Sequence, residues 1–244
     1  MIFHAEMQNF SSDRDILNPR SYQEFLSSRP EKLEKDAIAL ITRLQEKYPS
    51  VACHIAHLSA ASALPIIRAA KDRGLKLSVE TCFHYLCLSA ENISDGATEY
   101  KCTPPIRDDS NRRLLWDALL DGTIDCVVSD HSPCLTEMKE LESGNFMTAW
   151  GGVSSLGLGL SLLWTEGRRR GVSVGQIIRF MSTKNAELAG LSGTKGQLKV
   201  GYDGDLVIWD PDAKFKVNAN ADAAHEYNRS RNRSRRSICI SRIS

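Results

Sequence analysis

Along residues 1–130, short apolar runs alternate with longer stretches whose apolar positions recur at helical spacing. Met1-Ile2-Phe3 is the first run and ends on His4. From Glu31 to Tyr48 the spacing puts Leu33, Ala37, Ile38, Leu40, Ile41 and Leu44 on one helical face, with Pro30 where a first turn tolerates it. Val51 to Ala56 predicts a second strand, ending at His57. Ser59 is expected to cap a helix that continues to Asp72, where Gly74 stops it. Leu75 to Thr81 predicts a third strand and Asn111 to Leu120 a helix; Thr123 to Ser129 predicts a fourth strand, ending on Asp130. Strand, helix, strand at this spacing implies parallel pairing through right-handed crossovers. The class is α/β, and four βα units amount to half of a TIM-type (β/α)8 barrel, which needs eight strands and roughly 250 residues.

Helices are expected at about 154–170 and 173–181. The chain then changes character: KGQLKVGYDGDLVIWDPD is punctuated by glycine, and Leu206-Val207-Ile208-Trp209 reads as a strand of a small separate sheet. Three regions follow: a partial barrel over 1–190, a remnant of a small composite β domain (part of a β-sandwich appendage) over 191–217, and an Arg/Ser-rich tail over 218–244 expected to be disordered.

Composition is that of an ordinary soluble globular protein, 42% hydrophobic and 25% charged. The formal charge of +1 hides a basic tail: its six arginines face only Asp222 and Glu226, so residues 1–217 carry a small acidic excess. No nucleic-acid surface is expected from that balance, and an unfolded tail explains RSRNRSRRS better than an RNA-binding arm. Seven cysteines, at 53, 82, 87, 102, 126, 134 and 239, form no CxxC pair; reduced thiols in a reducing compartment are expected. No apolar run approaches a membrane span and MIFHAEMQNF has no signal-peptide pattern, so a cytoplasmic location is expected, with the peroxisome as the alternative.

Chemistry in parallel α/β folds sits at the carboxyl ends of strands. Three of the four predicted ends carry a ligand suited to zinc or a neighbouring transition metal: His4, His57 and Asp130. Each has an ordinary alternative, since a single histidine near a core is more often a hydrogen-bonded structural group and Asp130 could merely cap the turn before Pro133. His54 lies three residues before His57, so on a strand the two point to opposite faces and do not share one metal.

The segments HAEM, HIAHLS, VETCFHYL, KCTPPIR, VVSDHSPC and FMTAWGGVSSL, in this order, resemble the allantoinase group of the cyclic amidohydrolases, whose relatives include hydantoinase, dihydropyrimidinase and dihydroorotase. The resemblance runs from about residue 1 to 217 and implies the carboxyl-terminal half of a barrel with a binuclear metal centre, usually Zn2+. It makes His4 and His57 ligands of one metal and Asp130 a ligand of the other and the proton shuttle. The implied reaction is hydrolysis of the cyclic amide of allantoin to allantoate, with a small molecule as substrate and a homo-oligomer, tetrameric in intact members, as the assembly. Thr103 stands where relatives hold the ring through backbone hydrogen bonds, and Gly151-Gly152 would let the backbone approach it; a stiffened or turning loop explains both equally well. His131, Ser132, His84 and Glu80 are candidates for orienting the ligands, with packing and turn roles as the alternative. Hydantoinase or dihydropyrimidinase chemistry is the alternative within the enzyme class.

The family also carries a His-x-His pair and a bridging carboxylated lysine on earlier strands, and neither is found here. A truncated chain is therefore expected, either inactive alone or a partner of intact subunits.

Overall fold

The computed structural model describes residues 1–7 and 16–214. These fall into two compact units, Met1–Val153 and the segment from Ser154 onward.

The first unit is an α/β body. Its elements are β1 (Ile2–His4), α1 (Tyr22–Ser28), α2 (Lys32–Lys47), β2 (Cys53–Ala56), α3 (Leu64–Asp72), β3 (Leu77–Cys82), α4 (Phe83–Cys87), α5 (Asp109–Leu120) and β4 (Cys126–Val128). The strands form one sheet in the order β1-β2-β3-β4, every neighbouring pair parallel. This is the expected partial (β/α)8 arrangement. Ile55, Val79, Cys126 and Val127 are buried, as strands covered by crossover helices require. Helix α2 turns Leu33, Ala37, Ile38 and Ile41 inward, α3 Leu64 and Ile67, and α5 Leu115, Trp116 and Leu119. Each fully buried aliphatic side chain of this kind contributes about 1.5–3 kcal/mol over leaving it in water. Trp116 satisfies its indole by donating Nε1–H to Leu86 O at 2.9 Å.

One local expectation needs correction. Ser59 does not cap α3. Its hydroxyl donates to Pro105 O at 2.6 Å, and a single 3₁₀ turn, Ala61–Ala63, precedes the helix. The orphan amides there are met from afar: Glu34 Oε2 accepts from Ser59 N (2.9 Å) and Ala60 N (3.0 Å), and Asn111 Oδ1 from Ala61 N (2.7 Å). Gly74 does end the helical segment as expected, with φ +76°, where a side chain would be strained. Helices α1 and α4 are additions. Ser21 caps α1 by accepting from Glu24 N.

A proline-rich segment positions the site. Pro104 and Pro105 have no N–H to offer a sheet, and their carbonyls, with that of Ile106, are each held by a different hydroxyl. Tyr85 donates to Pro104 O (2.7 Å), Ser59 to Pro105 O (2.6 Å) and Tyr22 to Ile106 O (2.7 Å).

The second unit contains α6 (Gly159–Arg168), α7 (Val174–Ile178), a π turn at Arg179–Thr183 and α8 (Lys184–Leu188). A capping box, Ser173 with Gln176, starts α7. The strand expected at Leu206–Trp209 is absent: no strand forms among the described residues of this unit. Leu206, Val207 and Ile208 are exposed and have no ladder partner, and β propensity without one does not make a strand. Trp209 instead packs edge-on against Trp164, ring centroids 5.4 Å apart. The arginine-rich stretch from 218, and Cys239, lie outside the described residues. None of the six described cysteines is in a disulfide. No described helix is long and apolar enough to cross a membrane.

Candidate active site

The carboxyl edge of the parallel sheet gathers the predicted ligands. Register pairs His4 with Ala56, so His57 follows directly beyond β1's last residue on the neighbouring strand. His4 Nδ1 lies 3.0 Å from His57 Nε2, with the rings edge to face. One shared proton suffices to join the two nitrogens, and the same converging pair would hold a divalent cation.

His57 and Asp130 both leave their strands through left-handed backbone, φ +40° and +44°. Neither is glycine. Non-glycine residues in this region carry strain and cluster at functional positions. At both strand ends the kink breaks the alternation of the pleat.

Electrostatics favours neutral imidazole. Burial holds His57 below the ordinary histidine value, opposed by the Asp130 carboxylate and reinforced by His4. His4 is oriented from behind: its Nε2 lies 3.3 Å from Glu6 Oε2, and Arg29 donates to the same carboxylate oxygen. A proton on Nε2 leaves Nδ1 with its lone pair facing His57, the arrangement by which carboxylates commonly fix a metal-ligating histidine. Burial alone would raise the Glu6 carboxyl, but the His4 hydrogen bond and the Arg29 charge outweigh it and leave it below its ordinary value. The sequence signal for Glu6 is an acid two residues beyond a strand-end histidine, and so on the same side of an extended chain.

His54, inside β2, has its own partners on the neighbouring strand. It is buried, with Nδ1 2.8 Å from Ser78 Oγ and Nε2 3.0 Å from Glu80 Oε2, the latter contact lacking hydrogen-bond geometry. Glu80 is thereby placed beside His54. His57→Ala is expected to lower bound metal at least about tenfold by elemental analysis of the purified protein, whereas His54→Ala leaves it unchanged. The opposite ranking would show that the wrong face was chosen.

The remaining candidates separate into two groups. His84 stands with Cys82 and Asp130, one ligand atom from each lying within 4.8 Å of the others. Burial, then the nearby His57, pulls the His84 imidazole down to about 3, so it is neutral at physiological pH. His131 and Ser132 tie down the loop at 150–153. His131 bridges to Val153, Ser132 N donates to Val153 O at 3.1 Å, and Ser132 Oγ accepts from Trp150 Nε1 at 3.2 Å.

That loop forms one wall of a cleft of about 380 Å³, lined among others by Phe25, Arg29, Lys101, Thr103, Trp150 and Gly151. Thr103 and Gly151 face each other: a β-carbon added at 151 would sit 3.4 Å from Thr103 Oγ1. At Gly152 the added carbon would fall 2.4 Å from Ser132 Oγ, so only glycine fits against Ser132. Lys101 is buried, donates to Met147 O (3.2 Å) and Ala149 O (2.5 Å), and is drawn down to about 8 by burial and by the Arg29 and Lys139 charges. Its ammonium holds the cleft loop by the backbone.

A family model described as the amidohydrolase family matches residues 24–232. The chain is 46% identical over 222 residues to the allantoinase of Saccharomyces cerevisiae, covering 89% of this chain and 47% of that protein. It is 48% identical over 199 residues to the mitochondrial allantoinase of Aquarana catesbeiana, covering 82% and 41%. Among solved structures, the D-hydantoinase (dihydropyrimidinase) from Thermus sp. superposes with a TM-score of 0.75 at 33% identity, covering 84% of this chain and 44% of that one. The chain thus spans a little under half the length of the relatives it matches.

Proposed function

Because this chain belongs to the amidohydrolase family, we propose that it carries part of the active site of an allantoinase, the hydrolase that opens the hydantoin ring of allantoin to give allantoate. The observation that carries the reading is the convergence of His4 Nδ1 and His57 Nε2 at the carboxyl edge of a parallel sheet, with Asp130 two residues beyond the end of the last strand. The greater identity to allantoinases than to the hydantoinase favours a ureide over a dihydropyrimidine as substrate.

Metal dependence is typical of this family. Two imidazoles and a carboxylate fit zinc, and we assign His4 and His57 to one ion and Asp130 to a second. Cations so held supply Lewis acidity and lower the pKa of a nearby water. Asp130 accepts the proton of that water as its oxygen attacks the ring amide carbon. The C–N bond then breaks, and Asp130 returns the proton to the departing nitrogen. Glu6 keeps His4 in the ligating tautomer. Thr103 and the backbone at Gly151 hold the ring, and the pinned 104–106 segment keeps Thr103 in register. The assembly is a homo-oligomer acting on a small molecule.

The test is a panel assay of allantoin, hydantoin and dihydrouracil on the purified protein, with zinc measured in parallel. Turnover of allantoin well above the other two, with zinc bound, is the expected result. Turnover of only the latter two would replace the allantoinase reading with hydantoinase chemistry. No zinc and no turnover would favour an inactive form that associates with intact subunits.

A further inference from the structure

His84 is the most anomalous polar group in the first unit. It is completely buried, and neither ring nitrogen has a hydrogen-bond partner, although the ring packs edge-on against Tyr85. Buried polar atoms are nearly always paired, and leaving one unpaired is destabilising. The ring is not facing an apolar wall. A ligand atom of His84, the Sγ of Cys82 and a carboxylate oxygen of Asp130 all lie within 4.8 Å of one another. Cys82, the last residue of β3, is fully buried, while Asp130 is partly exposed, so the cluster is closed behind and open at the carboxylate.

We propose that Cys82, His84 and Asp130 form a cation site separate from the His4–His57 pair, selective for thiophilic divalent ions such as Cd2+ or excess Zn2+. One thiolate, one imidazole and one carboxylate are the donor set such ions prefer, and three protein ligands leave a position for water. The spread of the donor atoms needs only small side-chain shifts to reach bonding distances. On binding, the Cys82 S–H bond breaks, the proton leaves to solvent and sulfur forms a bond to the ion, so one charge is released for each ion taken up. His84 gains the partner that its lone pair lacks. Hard, oxygen-preferring ions such as Mg2+ gain nothing from the sulfur and are not expected there. Asp130 is common to this site and to the reaction proposed above. If that reading holds, occupancy would draw the carboxylate away from the attacking water and inhibit the enzyme. The site itself does not depend on that reading.

The experiment is a Cd2+ titration of the full 244-residue chain, followed by the near-ultraviolet thiolate-to-cadmium charge-transfer band. One equivalent is expected to develop the band. Cys82→Ser should abolish it, His84→Gln should weaken binding by about tenfold or more, and His4→Ala should leave both band and affinity unchanged. A band that survives Cys82→Ser, or that His4→Ala removes as completely, overturns the proposal. If Cys82→Ser loses its near-ultraviolet circular dichroism and so its fold, 113Cd NMR of the unaltered chain decides. A resonance with one sulfur among nitrogen and oxygen donors supports the site, and one with only nitrogen and oxygen donors refutes it. Neither readout needs turnover, so a failure here leaves the allantoinase reading standing, and a failure of that reading leaves the site standing.

Discussion

On the proposed allantoinase reading, Asp130→Asn in an active, intact form is expected to lower allantoin hydrolysis by about 10²–10⁴-fold, the range that a positioned general base supplies, while the protein stays folded. The substitution separates chemistry from shape. Asparagine has the same heavy-atom skeleton and, with aspartate, is among the non-glycine residues that best tolerate the left-handed backbone of φ +44° found here. It retains a carbonyl oxygen that can approach a cation, but it cannot take a proton from water near neutral pH. The carboxylate also favours the charged form of His57, so its removal lets burial hold that imidazole still more firmly neutral. Steady-state rates, together with a thermal melt shifted by no more than the equivalent of about 0.5 kcal/mol, would bear out the assignment. A rate within threefold of the unaltered protein would remove Asp130 from the proton path.

The largest expected effect on stability is at Arg107. Its guanidinium pairs with Glu34 at 2.7 Å, both side chains are buried, and the same carboxylate accepts the amides of Ser59 and Ala60 two and three residues beyond His57. Arg107→Met removes one partner and strands the other, which destabilises buried pairs by about 3–5 kcal/mol. Burial already raises the Glu34 carboxyl above its ordinary value against the opposing Arg107 charge, and without that charge it rises further. A carboxyl whose folded pKa exceeds its unfolded one binds the extra proton in the folded state. Its contribution is full below the unfolded value and is lost as pH rises through the folded value. Denaturant titrations should therefore show the deficit greatest near pH 8 and shrinking toward the ordinary carboxyl range. A deficit that grew on acidification would mean that Glu34 is not the group left exposed to the penalty.

The strand ends were legible because short apolar runs stop abruptly at polar residues. His4, His57 and Asp130 sit at or just beyond those stops, and parallel pairing brings two of them into contact. What could not be read is mostly long-range. Ser59 has the local signature of a helix cap, but Glu34 and Asn111, remote in sequence, take that work, and the Ser59 hydroxyl turns to Pro105. The nearness of Cys82 and His84 to Asp130 was hidden by an expected strand ending at Thr81. The chain instead enters a five-residue helix at Phe83, which swings His84 back toward Asp130. Leu206–Trp209 misled in the opposite sense: its β-branched and aromatic residues favour a strand, but pairing is a property of two segments.

The three hydroxyls beneath Pro104, Pro105 and Ile106 come from α4, the turn before α3, and α1. Three separate elements therefore vote on the position of one short loop, and none of the three hydroxyl-bearing residues lines the cleft. The rear of the loop is over-determined while its front is left chemically free. On the proposed reading, a change of substrate preference within such a scaffold can proceed at Thr103, one side chain at a time, without the backbone that presents it having to be reinvented.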